Sequence, residues 1–173
     1  KYLKSVNITV PGDPSSGAFF TALTLLNKNS HLIMKNIGLN PTRIGFYELL
    51  KNHGANIKFK NIKKHNEEMY GDIHIKSSKI RPIHASKDYY VKATDEYPIL
   101  FIIAALTNGT STFNGIKDLA NKESNRIKEM QKILRQIGIK SNATKDSIKV
   151  YGKNYIKSKY KKIIVPNTGD HRI

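Results

Sequence analysis

Residues 122–126 combine two cations, a carboxylate, a hydroxyl and an amide in one short stretch: Lys122, Glu123, Ser124, Asn125 and Arg126. Clustered cations bind anionic groups such as phosphate, and a carboxyl group beside them can donate or accept a proton. This set of side chains therefore suits a site that binds an anion. The alternative interpretation is an ordinary solvated surface in a lysine-rich chain.

The residues that follow predict that this stretch opens a helix. Gly138 is a typical C-terminal stop, and the preceding apolar residues recur at the spacing of one helix face: Ile127, Met130, Leu134 and Ile137. Asn121 and Ser124 both offer a short side-chain acceptor for the N-cap. Lys122 and Arg126 would share a helix end at which a cation typically costs about 0.3–1 kcal/mol, and a bound anion would offset that cost.

The composition is that of one globular domain. The chain has 173 residues, 39% of them hydrophobic, and its longest apolar run, residues 98–106, is too short to span a membrane. The absence of cysteine excludes disulfides and thiolate metal sites and agrees with the cytoplasmic location that we expect. The chain begins at Lys1 and stops at Ile173 within a predicted helix start, so we expect it to be part of a longer protein.

A formal charge of +17 is compatible with a nucleic-acid-binding module, because a basic face gains affinity by releasing counterions from phosphate. Nearly all of this charge is lysine, in a chain also rich in Asn and Ile, and such a bias can come from genome composition. The sequence contains no zinc finger, RNP-type motif or clustered basic helix. We therefore expect no nucleic-acid partner; binding to random DNA that falls steeply with salt would favour this alternative.

No metal site or cofactor is predicted. The six histidines show no paired ligand spacing with acids. Ser15 and Ser16 are interpreted as helix caps, since no base can be placed beside them to activate a nucleophile.

Periodicity and turn residues predict alternating strands and helices. In the first half we expect, in order, a strand over residues 7–10, a helix from Ser15 or Ser16 with Phe19, Ala22, Leu23 and Leu26 inward, a strand over 31–37, a helix over 42–53 with Phe46, Leu49 and Leu50 inward, and strands over 55–60 and 72–76. In the second half we expect a strand end at Val91 leading to Asp95, a buried helix over 97–106, a strand over 110–116, the helix at Glu123, and strands over 139–142 and 147–151.

The two halves follow the same order, which predicts an α+β fold of repeated βαβαββ units, two complete and a third begun at residues 165–170. Arg43 lies eleven residues before Gly54 and Arg126 twelve before Gly138, so the copies match to within one residue. Mixed sheets would pack on helices, with equivalent corners at the same end of the sheets. Several helix N-termini could then converge there and form a place for anions.

Four motifs occur in an order that resembles 5-enolpyruvylshikimate-3-phosphate synthase: Gly12-Asp13-Pro14-Ser15-Ser16-Gly17-Ala18-Phe19-Phe20, Asp95-Glu96-Tyr97-Pro98, Lys122-Glu123-Ser124-Asn125-Arg126 and Gly169-Asp170-His171-Arg172. The resemblance covers the whole chain. It implies that residues 1–12 end the first of two domains and that residues 13–173 form most of the second. It also implies transfer of the enolpyruvyl group of phosphoenolpyruvate to the 5-hydroxyl of shikimate 3-phosphate, without a cofactor, in a monomeric enzyme completed by the first domain.

The resemblance also implies a role for each site residue. Asp95 would act as base toward the 5-hydroxyl, and Glu123 would handle the proton at the methylene carbon of the enolpyruvyl group. Lys122 would contact shikimate 3-phosphate. The remaining three would hold or adjoin phosphoenolpyruvate: Arg126, His171 and Arg172.

Two departures from the family pattern concern this site. Asn125 stands where a second acid is usual, and Ala120 and Asn121 replace the usual Arg and Val. Asn125 can still form a hydrogen bond but supplies no negative charge to orient Arg126. The sister transferase that acts on a UDP-amino sugar shares the fold and is the nearest alternative.

Overall fold

The computed structural model describes residues 5, 7–65, 67–154, 162–165 and 167–173. It contains five α-helices and seven strands in these residues, in the order α1 (Pro14–Leu26), β1 (His31–Gly38), α2 (Gly45–Asn52), β2 (Asn56–His65), β3 (Glu68–Lys76), β4 (His84–Ala85), α3 (Lys87–Ala93), α4 (Tyr97–Ala105), β5 (Gly109–Asn114), α5 (Arg126–Gln136), β6 (Lys140–Ala143) and β7 (Ser147–Gly152). Short 3-10 helices cover Thr94–Glu96 and Lys117–Asn121. The predicted α+β class is confirmed.

The two sheets have the same order, which confirms the duplication. One is β1-β3-β2 and the other β4-β5-β7-β6. In the second sheet β4 runs parallel to β5, and in the first a single parallel bridge joins Gly12 to Ile37 of β1. Gly12 therefore occupies the place of β4, and each unit continues with a central helix, a strand, a second helix and an antiparallel ribbon. A third unit stays a prediction, because 155–161 and Pro166 lie outside the described residues.

The strand predicted over residues 7–10 is wrong. Among the described residues before α1, only Gly12 pairs with β1. Its N–H donates to the Asn36 carbonyl at 2.8 Å, and its carbonyl accepts from the Gly38 N–H at 2.9 Å. Ile8 and Val10 lie exposed. Because Pro11 has no N–H to donate, it cannot carry a ladder back toward Val10.

The strand end predicted at Val91 is also wrong, because Val91 lies on α3 with its side chain exposed. The local sequence favours this helix, since Asp88 lies in its first turn and Lys92 in its last, where each charge complements the helix macrodipole. The strand of this unit is β4, which is only two residues long and too short to show alternation. Val10, Val91 and Val165 each stand a few residues before an aspartate, but none of the three lies in a strand.

Helix α1 forms, and its buried face matches the predicted one only in part. Ala22 is buried and Leu26 packs half-buried against the core, as predicted, but Phe19 and Leu23 are exposed, together with Phe20. The buried face also includes Gly17, Ala18, Thr21 and Leu25. The small residues allow close approach: a Cβ at Gly17 would lie 2.9 Å from the Met34 sulfur and from the Tyr47 hydroxyl. With apolar residues on every side, periodicity could not identify the packed face.

The core lies between the helices and the two sheets. Helix α4 is buried along its length, as predicted. Its Phe101 ring packs edge-on against the Phe113 ring of β5, with the ring centroids 5.0 Å apart. The inward faces predicted for α2 and α5 are confirmed, because all their named apolar residues are buried: Phe46, Leu49, Leu50, Ile127, Met130, Leu134 and Ile137. Within the described part of the chain, none of the helices has the length and apolar character needed to cross a bilayer.

Candidate active site

Helix α5 begins at Arg126, and its N-cap is Asn125, whose side-chain oxygen accepts from the Lys128 N–H at 3.0 Å. Neither Asn121 nor Ser124, the two caps predicted, has this role. Asn121 ends the 3-10 helix Lys117–Asn121, and the Ser124 hydroxyl donates to Asp170 instead. The residue that departs from the family pattern therefore has a structural role of its own.

Asn125→Ala is expected to lower the free energy of unfolding by about 1 kcal/mol, because the Lys128 N–H loses its acceptor. Asn125→Asp keeps an acceptor and serves as the matched control, with little expected loss. Urea denaturation of the three proteins measures the difference. Equal stability of the Ala variant and the parent would remove the capping role.

Arg126 lies almost fully buried and is surrounded by carboxylates. Its Nε donates to Oδ2 of Asp170 at 2.9 Å, and its Nη2 donates to Oδ1 of Asp170 at 3.2 Å and to Oε2 of Glu123 at 2.7 Å. The two bonds to Asp170 form a bidentate pair, the geometry that best fixes a guanidinium plane. Asp170 and Glu123 thus orient Arg126. From the sequence alone, the only residue considered for this role was Asn125, which carries no charge.

Asp170 has no exposed side-chain surface, yet it is held in its charged form. Burial alone would raise the pKa of this carboxyl group, but donors from Arg126, the Arg172 N–H and the Ser124 hydroxyl outweigh burial and lower the pKa to about 2. The group lies in a turn, with its Oδ1 also accepting from the Arg172 N–H at 3.0 Å. Asp170 therefore ties residues 170–172 to the start of α5.

Asp95 lies between two guanidinium groups. Its Oδ1 is 3.5 Å from Nη1 of Arg126, and its Oδ2 is 3.5 Å from Nη2 of Arg172. Among the described residues, Nη1 of Arg126 and Nε of Arg172 are buried but have no hydrogen-bond partner. Buried donors are normally satisfied, so two such donors on neighbouring guanidinium groups indicate a site for an anion.

The other predicted site residues lie around this pair. Glu123 follows Lys122 in the chain and has a half-exposed side chain, with Oε2 bonded to Arg126. The Lys122 ammonium is 2.9 Å from Oδ2 of Asp118. Lys122 lies before α5, which begins at Arg126, so the expectation that the two cations share one helix end is wrong. His171 is exposed in the turn beside Arg172. Four of the six residues are thus joined by ion pairs, and Lys122 and His171 flank them in the chain.

The first unit has a matching corner. Arg43 lies 3.5 Å from Oδ1 of Asp13, the same separation as between Arg126 and Asp95, and its Nη2 donates to the Ser15 hydroxyl at 3.1 Å. Asp13 caps α1 through the Ser15 and Ser16 N–H groups. Glu96 directly precedes α4, and its burial raises its pKa although nearby Ser15 of α1 acts in the opposite direction. The N-termini of α1 and α4 therefore lie close together near Asp95, as the duplication predicted.

Sequence reasoning missed several residues that shape the site. Asp170 was quoted within a motif but given no role, because its partner Arg126 lies 44 residues away in the chain. Asp118 stands four residues before Lys122, the spacing of an ion pair, and was not considered. No local signal pointed to the Ser124 hydroxyl. Over the ranges that the structure covers, no group of three or more His, Asp or Glu residues could hold a metal ion.

Comparisons with known proteins agree with these features. The family model for EPSP synthase (3-phosphoshikimate 1-carboxyvinyltransferase) matches residues 1–173. Two curated relatives named 3-phosphoshikimate 1-carboxyvinyltransferase are 38% identical: that of Bacillus subtilis over 171 residues, 99% of this chain and 39% of the relative, and that of Zymomonas mobilis over 173 residues, 99% of this chain and 38% of the relative.

A solved EPSP synthase from Acinetobacter baumannii superposes with a TM-score of 0.81 at 38% identity, covering 85% of this chain and 33% of that one. The chain thus spans about two fifths of the length of the curated relatives that it matches. Since the family model extends over all 173 residues, the chain belongs to the EPSP synthase family.

Proposed function

We propose that residues 13–173 belong to the second domain of an enzyme that transfers the enolpyruvyl group of phosphoenolpyruvate to the 5-hydroxyl of shikimate 3-phosphate and releases phosphate. Residues 1–12 would end its first domain. The observation that carries this proposal is the placement of Arg126 and Arg172 on either side of Asp95, with one buried donor on each guanidinium group that has no hydrogen-bond partner.

The two arginines are proposed to hold phosphoenolpyruvate, whose carboxylate and phosphate both match the forked donors of guanidinium groups. His171 adjoins them in the same turn. Lys122, at the start of the loop that leads into α5, would contact the phosphate of shikimate 3-phosphate. A binding anion would take over part of the arginine contacts of Asp95, so that this carboxylate becomes available to the substrate hydroxyl.

The chemistry follows from the two carboxyl groups. Glu123 would add a proton to the methylene carbon, which makes the neighbouring carbon electrophilic; the 5-oxygen then attacks that carbon as Asp95 removes the hydroxyl proton. Glu123 then takes a proton back from the new methyl group as phosphate departs, which restores the double bond, and the proton held by Asp95 leaves with the phosphate. Atoms and charges balance without a redox step, so no cofactor is assigned a role.

The remaining domain of the same enzyme would complete the cleft. Closure around both substrates excludes water and aligns the reacting atoms, which can contribute roughly 7–11 kcal/mol to lowering the barrier. We propose that the intact enzyme is a cytoplasmic monomer that binds neither nucleic acid nor a membrane.

The test is a chimera in which this chain replaces the matching two fifths of the Bacillus subtilis relative, called the chimera below. Phosphate release and product mass, measured with phosphoenolpyruvate and shikimate 3-phosphate, should show enolpyruvyl transfer. A folded chimera that binds both substrates but forms no product would overturn the proposal. Turnover of UDP-N-acetylglucosamine instead would favour the sister transferase.

A further inference from the structure

The Lys122 side chain is held by an acid on the preceding 3-10 helix. Its Nζ lies 2.9 Å from Oδ2 of Asp118, and the Tyr90 hydroxyl donates to that same oxygen at 3.0 Å. Tyr90 is on α3, so the ammonium group is connected through one carboxylate oxygen to a second element of the fold. The hydrogen bond from Lys122, and to a smaller extent the one from Tyr90, lowers the pKa of Asp118 and keeps its carboxylate charged.

Tyr90 is itself fixed by the core. Its ring packs against that of Tyr97 with centroids 5.4 Å apart, and Tyr97, the first residue of α4, is fully buried. The chain of contacts from Tyr97 through Tyr90 and Asp118 therefore ends at the ammonium group of Lys122. A free lysine has many rotamers, and ordering it when a ligand binds reduces affinity.

We propose that Asp118 and Tyr90 are positioning residues that preorganise Lys122 to bind the phosphate of the acceptor substrate. This inference rests on the proposed function, in which Lys122 contacts that phosphate. Neither residue touches the reacting atoms, and both act through Lys122.

Simple electrostatics predicts the opposite effect, which makes the inference testable. Asp118 is a half-exposed negative charge close to a site for an anion, so its repulsion alone would weaken phosphate binding. Removal of the charge would then tighten binding. If positioning dominates, removal weakens binding instead.

The first test uses Asp118→Asn in the chimera, since Asn keeps the shape and still accepts from Tyr90. KM for shikimate 3-phosphate should rise about three- to tenfold, the range expected for one charge-assisted hydrogen bond, while kcat and KM for phosphoenolpyruvate change less than twofold. Asp118→Glu should recover part of the loss, and Tyr90→Phe should show a smaller one. Glu67→Gln is the matched control, because it removes a carboxylate that pairs with Lys64 at 2.6 Å on the β2–β3 hairpin.

A double-mutant cycle shows whether Asp118 acts through the lysine. In a Lys122→Met background, Asp118→Asn should no longer change KM for shikimate 3-phosphate. An unchanged or lower KM in the single variant, or the same rise in the Met background, would overturn the inference. An active chimera with such a result contradicts only this inference, whereas a folded, inactive chimera contradicts the proposed function.

A second measurement does not need turnover. Titration of this chain with inorganic phosphate, followed through the Lys122 amide signal, should give a weaker dissociation constant for Asp118→Asn than for the parent. A tighter constant would show that repulsion dominates and would also overturn the inference.

Discussion

Glu123→Gln is expected to lower kcat of the chimera by about 10²–10⁴-fold, the usual loss when a general acid–base group is removed. The change keeps the size of the side chain and one oxygen that can accept the 2.7 Å bond from Nη2 of Arg126. Arg126 should therefore stay in place, and only the transferable proton is lost. Binding of shikimate 3-phosphate, measured by calorimetry, should stay within about threefold of the parent.

Glu67→Gln on the β2–β3 hairpin is the control for this change, because it removes an exposed carboxylate that pairs with a lysine. Its kcat should equal that of the parent. If Glu123→Gln also retained kcat within a few-fold, Glu123 would not carry the proton. Loss of substrate binding together with kcat would point instead to misplacement of Arg126.

Asp170→Asn is expected to lower the free energy of unfolding of this chain at pH 7 by about 3 kcal/mol, because it leaves Arg126 buried without its bidentate partner. This loss of stability is at the low end of the usual range for a broken buried ion pair, because Glu123 and Asp95 still face the guanidinium group. Urea denaturation measures the loss. Glu68→Gln, at an exposed residue at the start of β3, is the control and should stay within about 0.5 kcal/mol of the parent.

The same variant tests the charge state of Asp170. Its pKa is lowered from the ordinary 3.8 to about 2 in the folded protein, so the carboxylate stabilises the fold above about pH 5 and this contribution is lost as the pH falls toward 2. The shift corresponds to about 2 kcal/mol. The stability difference between the parent and Asp170→Asn should therefore narrow by about that amount between pH 5 and pH 2. A difference that does not depend on pH would contradict the assigned charge state.

The sequence predicted best the elements in which local pattern and tertiary packing agree. Helix α5 has a single apolar stripe, so its buried face could be identified in advance, and α4 is so apolar that burial was its only outcome. The two-stranded ribbons after Gly54 and Gly138 were predicted because a glycine typically ends a helix. In the structure both glycines follow a helix and have positive φ angles, 100° and 79°.

The errors arose where tertiary contacts decide between local alternatives. The buried face of α1 depends on the small residues that let Tyr47 and Met34 approach Gly17, which no spacing rule reveals. Strand β4 exists only because β5 lies parallel to it, and two residues carry no periodicity. Val91 was predicted to end a strand because it precedes Asp95 as Val10 precedes Asp13, and its helical surroundings were not considered.

The site was predicted as a set of residues but not as a network. Asp95, Glu123, Arg126 and Arg172 were named from motifs, and the structure joins them by ion pairs. Asp170 was missed because it lies 44 residues from Arg126 in the sequence, and a pairing over that distance follows from the fold alone. The structure thus explains how Arg126 stays oriented although Asn125 replaces the usual acid.

Titration of this chain with inorganic phosphate, followed by amide chemical shifts, tests most directly whether the corner formed by Asp95, Arg126 and Arg172 is an anion site. The two buried donors without a hydrogen-bond partner predict saturable shifts confined to Asp95, residues 122–126 and residues 169–173, with a dissociation constant on the order of millimolar. Arg172→Gln should weaken these shifts. Shifts confined to lysines elsewhere, such as Lys58 and Lys60 of β2, would contradict the assignment of the site.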